Sequence, residues 1–325
     1  MPKQWVRLAV VIALGSLLLS TAGAGAQSKK AEGITVTPVT DEFTVKPGET
    51  VTRTVRVINP TVEVANLYPR VLDFHTNNDK GQPVFYTVKD RSSRYALSEW
   101  VTFSKPLIRV APNEEEKFEV IITAPSDAEP GGHYGAVLFS TEEPKLSSDT
   151  TQVGVVGLVG TLLLAQVPGN VTQKMVITDF DAPTVLIQPP AQFSLLFQNM
   201  GTVHLKPVGE IKIRNWSGAT RTTLRVNEGG GNVLPESQRR FENVWPFDWK
   251  AFGKYTASVA VTYGFPEQQA MATRSFFVIP LWLIVLILAL LLLIVWLFIR
   301  RRRRGRQVYV NNVPPAPKRS TYVMR

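Results

Sequence analysis

Trp245, Phe247 and Trp249 alternate along residues 244–249, VWPFDW, with Phe252 and Tyr255 close behind. Side chains two apart share one face of a strand, so the three rings would stand in a row. A row on an exposed sheet can stack on sugar rings. Turned inward it fills a core, and beside a membrane it suits the lipid interface. Core packing is the favoured use; a ligand surface of Trp245, Phe247 and Trp249 is the alternative.

Other reactive types are thinly spread. His75, His133 and His204 are far apart and match no metal-ligand spacing. Asp179 and Asp181 lack the further oxygen ligands of a calcium loop and suit a solvated strand end. Glu114, Glu115 and Glu116 follow Ala111-Pro112-Asn113 at a turn. His133 and Tyr134 follow Pro130-Gly131-Gly132, and turn geometry accounts for those glycines without a ligand. There is no G-x-S-x-G elbow, P-loop or dinucleotide-binding glycine pattern. The chain has no cysteine, which removes disulfides, thiolate metal sites and cysteine nucleophiles. The expectation is a protein without catalytic residues, cofactor or metal.

The net charge of +10 sits at the ends. Residues 300–325 carry +9 and residues 1–30 carry +4, which leaves −3 on the body. A mildly acidic body lacks the basic face that nucleic acid requires. The basic end adjoins Leu281–Ile299, nineteen consecutive apolar residues. As a helix these cover about 28 Å, close to the hydrocarbon thickness of a bilayer. Trp282 and Trp296 lie near its two ends, where indoles favour the interface. Arg300, Arg301, Arg302, Arg303 and Arg304 follow at once and act as a stop-transfer signal that stays cytoplasmic. The same arginines could dock on anionic lipid or an acidic cytosolic partner. The end of the tail, with Val313-Pro314-Pro315-Ala316-Pro317, reads as disordered.

Residues 1–26 read as a signal peptide. Lys3 and Arg7 start it, Leu8–Leu19 is its apolar run, and Ala24-Gly25-Ala26 precedes the cut. Export followed by a stop-transfer helix predicts a single-pass cell-membrane protein, N-terminus outside and C-terminus cytoplasmic. Domains without cysteine are commonest among exported bacterial proteins, so a bacterial source is expected.

Between these ends the pattern has period two. Val51, Val55 and Val57 alternate with polar residues and stop at Asn59-Pro60, as in a half-buried strand. Further strands are predicted at 34–37, 62–74, 83–88, 100–103, 106–110, 117–123 and 134–140, with a short helical turn at 94–99. Residues 153–167, VGVVGLVGTLLLAQV, are apolar throughout but only fifteen long and punctuated by glycine. A buried strand fits them better than a membrane helix. A second set of strands covers 175–180, 191–199, 209–215, 222–227, 256–263 and 273–279. Spacings of this kind predict an all-β protein: two immunoglobulin-like antiparallel β-sandwiches at 32–168 and 171–275, then one transmembrane helix at 276–299.

Residues 33–168 resemble the peptidoglycan-binding domain of the WxL-interacting bacterial surface proteins. The resemblance rests on GITVTPVTDEFTVKPGETVTRTVRVINPT, SEWVTFSKPLIRVAPNEEEKFEVIITAP, PGGHYGAVLFSTE and VGVVGLVGTLLLAQV. Residues 171–279 resemble the second, immunoglobulin-like domain of that family through FQNMGTVHLKPVGEIKIRN, NVLPESQRRFENVW and FGKYTASVAVTYG. The resemblance implies binding to peptidoglycan or to other surface proteins, without catalysis. The rival expectation is a membrane-anchored chaperone or assembly factor for exported surface or pilus subunits.

Overall fold

The computed structural model describes residues 33–86, 94–142 and 159–308, with side chains as far as 302. The expected signal peptide, residues 153–158 and the tail beyond 308 lie outside these.

The first unit contains β1 (Thr35–Thr37), β2 (Thr40–Thr44), β3 (Thr50–Ile58), β4 (Ala65–His75), β5 (Val84–Phe85), β6 (Val101–Phe103), β7 (Ile108–Val110), β8 (Glu115–Thr123), β9 (Gly131–Ser140) and β10 (Val159–Val167). One sheet has the order β1-β3-β8-β6; the other runs β2-β10-β9-β4-β5, with β7 also on β4. The second unit contains β11 (Met175–Asp181), β12 (Val185–Leu186), β13 (Ala191–Asn199), β14 (Val208–Asn215), β15 (Thr220–Val226), β16 (Gln238–Trp245), β17 (Gly253–Tyr263) and β18 (Gln268–Val278). Its sheets are β11-β13-β16 and β12-β18-β17-β14-β15. The chain is thus two immunoglobulin-like sandwiches followed by one apolar helix, α1 (Leu281–Val308).

Alternation explains the layers. In β3, Val55 and Val57 are buried while Arg56 is exposed. In β17, Tyr255, Ala257, Val259, Val261 and Tyr263 face the second core, and the residues between face outward. Apolar residues at every second place can only cover one face, so each sheet needs a partner sheet.

β9 and β10 depart from this. Every residue of β9 is buried. Val137 and Phe139 enter the first core; Tyr134, Ala136 and Leu138 enter a separate cluster with Phe74, Leu164 and Leu234. The sheet is covered on both faces, and continuous apolar runs such as GGHYGAVLFS and TLLLAQV are the sequence form of that. β10 pairs antiparallel with β9 and parallel with β2. At Gly160 an added Cβ would collide with the carbonyl oxygen of Val137 and the Cα of Leu138, so close backbone approach accounts for that glycine.

Several strands differ from expectation. β2 and β16 were not predicted. β2 (TDEFT) buries no side chain fully, and β16 (QRRFENVW) is a sheet edge with few apolar residues, so neither shows a clear period. The stretch 83–88 contains only the two-residue β5 among its described part, and the turn at 94–99 is a 3₁₀ turn at Ser98–Trp100.

α1 is long and apolar enough to cross a membrane, and none of its apolar span is buried against the protein. Ile279 and Pro280 alone separate it from β18.

Candidate interdomain binding cleft

The outer cluster on β9 lies where the sandwiches meet. Asp73, 5% exposed, brings residues 95–98 across β9. Its carboxylate accepts from the backbone N–H groups of Leu97 (2.8 Å) and Ser98 (2.7 Å) and from the Ser98 hydroxyl (2.6 Å). The Tyr134 N–H then donates to the Tyr95 carbonyl at 2.7 Å. Leu234 of the second sandwich completes the cluster against Phe74, Tyr134 and Leu164.

Polar contacts surround that apolar centre. Arg240 donates to Asp79 at 2.7 Å and to Ser194 at 2.9 Å. Lys206 and Asn232 both donate to Glu42, at 2.9 and 2.7 Å. Arg94 and Tyr95 donate to Glu236 at 2.8 and 3.0 Å. The Gly132 N–H donates to the Thr202 carbonyl at 2.9 Å. Exposed pairs of this kind contribute little one at a time; around a buried apolar contact they fix its register.

Beside this junction is a cavity of about 380 Å³ lined by both sandwiches. Phe74, Leu162, Leu164 and Leu234 give it apolar wall, and Arg239 of β16 gives it a cation. Arg239 donates to the Asn232 carbonyl at 2.8 Å and lies 5.4 Å from the Phe241 ring. Among the described residues no carboxylate pairs with it. Burial lowers its pKa, although a guanidinium remains charged. Gly81 and Gly231 leave room for it: a Cβ at either would come within 2.6 Å of guanidinium atoms. A partly desolvated cation with unused donors, beside an apolar wall, suits a group that is apolar in one part and anionic in another. A larger hollow of about 1120 Å³ lies over β14, β17 and β18. It is the solvated outer face of a sheet, with side chains such as Glu210, Lys212 and Thr262, and brings together no desolvated charge.

The aromatic row divides. Trp245 and Phe247 are 7% and 5% exposed and belong to the second core. The Trp245 ring centroid is 5.3 Å from that of Tyr255 and 6.2 Å from that of Phe276. Trp245 and Phe247 thus take the favoured packing role, which leaves the alternative, a ligand surface of Trp245, Phe247 and Trp249, with one outward ring of the three. Trp249 is 69% exposed. Arg300, Arg301 and Arg302 lie exposed on α1, and the helix backbone continues through Arg303 and Arg304. His133 has its ring nitrogens 3.1 and 3.0 Å from the carbonyl oxygens of Ala96 and Glu129, a packing role. His75 stacks on Tyr86.

Sequence reasoning missed Arg239, Glu42, Asn232, Lys206 and Leu234. One signal was present: the triple glycine 229–231, which lines the cavity.

His204 makes the junction sensitive to acid. Its ring lies 3.4 Å from the Tyr134 hydroxyl, near Glu42 and Lys206, and burial lowers its pKa below the ordinary 6.5. Burial pushes the Glu42 carboxyl up, but the bonds from Lys206 and Asn232 outweigh it and leave it below 4.5. The hydrogen bond from Arg240 lowers Asp79 below 3.8. All three pKa values are depressed by folding. Their stabilisation is present above the ordinary pKa and is lost as pH falls through the folded value. The His204 share fades first, below 6.5, and the carboxylate shares in stronger acid. Amide exchange at Gly132, relative to its intrinsic rate, should accelerate between about pH 7 and about pH 5, ahead of core amides such as Val55. A Gly132 rate that follows the core amides throughout that range would refute this.

No family model matches the chain, and no curated protein matches it. Solved structures with similar folds include the class 5 fimbriae chaperone CfaA, at 13% identity and TM-score 0.36, covering 77% of this chain and 100% of that one. The CupB2 chaperone of Pseudomonas aeruginosa is 12% identical with TM-score 0.34, covering 74% and 98%. The E. coli chaperone DraB is 13% identical with TM-score 0.32, covering 75% and 96%.

Proposed function

We propose that this chain is a non-catalytic, membrane-held binding protein that receives a segment of another exported polypeptide between its two sandwiches. The observation that supports this is Arg239, a partly desolvated guanidinium without a carboxylate partner among the described residues, in a partly apolar cleft built by both domains. The proposed placement is extracytoplasmic for the sandwiches and cytoplasmic for the arginine-rich tail, following the charge rule for membrane helices. The short Ile279-Pro280 link favours a resident scaffold, because it holds the cleft at a fixed height above the membrane. An assembly factor that later releases the segment would use the same cleft. The resemblance of residues 33–168 to a peptidoglycan-binding domain keeps wall polymer as the second ligand.

Short peptides that pair leucine or valine with a carboxylate are expected to bind the full chain in detergent, and their carboxamide isosteres to bind about tenfold more weakly. Arg239→Gln should erase that difference while leaving the thermal transition in place. Titration calorimetry measures both. Equal binding of acid and amide peptides would sink the guanidinium's role. Cosedimentation with purified peptidoglycan, unaffected by Arg239→Gln, would favour the wall-polymer reading instead.

A further inference from the structure

Large exposed apolar side chains gather at one end of the second sandwich. Strand registers bring their positions together: Asn215 faces Tyr255, Gly253 faces Val278, Val185 faces Phe277, and Ala191 faces Trp245. Trp216 follows β14 at this end and is 72% exposed; Trp249 and Phe252 precede β17 and are 69% and 52% exposed. Ile187 and Phe277 are half exposed beside them. Large rings in two turns are an unfavourable surface for a domain standing free in water.

The same end is where α1 leaves. Trp282, in the first turn of the helix, donates its indole N–H to the Trp249 carbonyl at 2.8 Å, which ties the loop to the helix. The charges here suit a headgroup layer: Lys250 and Lys254 are exposed, and Lys250 lies 5.6 Å from the Trp249 ring centroid. Asp248, the acid among them, accepts the Lys250 N–H at 2.9 Å and closes the turn. Indole rings beside lysines, on a domain that two residues join to an apolar helix, match the composition of a membrane interface.

We propose that this end of the second sandwich is a lipid-contacting foot, with Trp216, Trp249 and Phe252 seated among the headgroups of the leaflet from which α1 enters. The foot rests on the reading of α1 as a membrane span. It converts a domain swinging on a short link into one seated on the bilayer, which sets the direction in which the cleft faces.

Because the chain has no cysteine, one nitroxide can be placed at a time. The full chain is reconstituted in vesicles of phosphatidylcholine and phosphatidylglycerol with labels on Ser217→Cys, Lys250→Cys, Leu290→Cys or Val62→Cys. Val62 lies in the loop before β4, at the end of the first sandwich remote from the second, and is 82% exposed. Collision with oxygen and with a water-soluble nickel chelate reads depth. Labels at 217 and 250 are expected at headgroup level, the label at 290 deep in the hydrocarbon, and the label at 62 in water. Replacing Trp216, Trp249 and Phe252 together by serine should move the label at 217 to the water reading while that at 290 stays. Labels at 217 and 250 that match 62, with 290 deep, would overturn the foot and leave the span intact. A label at 217 that is indifferent to the triple replacement would also overturn it. A water-exposed label at 290 would overturn span and foot together.

Discussion

Leu234→Asp is expected to uncouple the two sandwiches. The side chain is 7% exposed among Phe74, Tyr134, Ala136, Leu138 and Leu164. An unpaired carboxylate there costs several kcal/mol, more than the junction's polar rim can offset. The protein escapes that cost by separating the domains, so the loss is capped by the strength of the junction itself. Calorimetry of the full chain in detergent should change from one cooperative transition to two. The segment between β10 and β11 should become open to proteases in the same variant. An unchanged single transition would show that Leu234 does not hold the junction. Leu234→Ala gives a graded control, because it removes packing without adding a charge.

The second large effect is expected inside the domain beside the membrane. Phe276 is fully buried, and its ring centroid lies 5.8 Å from that of Tyr255 in a stacked pair. It also lies 5.6 Å from Phe193 and 6.2 Å from Trp245. Phe276→Ala should cost about 3–5 kcal/mol through lost transfer energy and the cavity left among three rings. That is a large share of the roughly 5–15 kcal/mol available to a domain. Urea titration in detergent, followed by near-ultraviolet dichroism, should show the loss as an earlier unfolding midpoint. A loss below about 1 kcal/mol would mean that the rings do not form a cooperative core. Phe276→Leu should retain most of the stability, since it fills most of the volume.

Some of this was legible residue by residue. The alternation of Val51, Val55 and Val57 showed β3, because side-chain direction in a strand follows position in the chain. The run 153–167 read as a buried strand through its length and glycines, and its described part, 159–167, is β10. β2 was not legible, since Thr40–Thr44 buries no side chain fully and its place comes from pairing with β10, more than a hundred residues away. β16 was masked by its arginines. Arg239 and Arg240 look alike in sequence, yet one lines a cavity and the other pairs with Asp79. Neighbours on a strand point to opposite sides, and which side meets the other domain is not a local property.

The sequence by itself determined the all-β character, the apolar helix with its basic flank, and the absence of any cysteine chemistry. These are local: period two, a run of nineteen apolar residues, a count. Tertiary structure alone decided that Trp245 and Phe247 pack inward while Trp249 stays out. It also decided that Glu42 meets Lys206 across 164 positions and that Leu234 closes a cluster begun by Phe74. The physical reason is that burial and desolvation belong to surfaces brought together by strand register and domain contact, and no window of the chain contains both sides of such a contact.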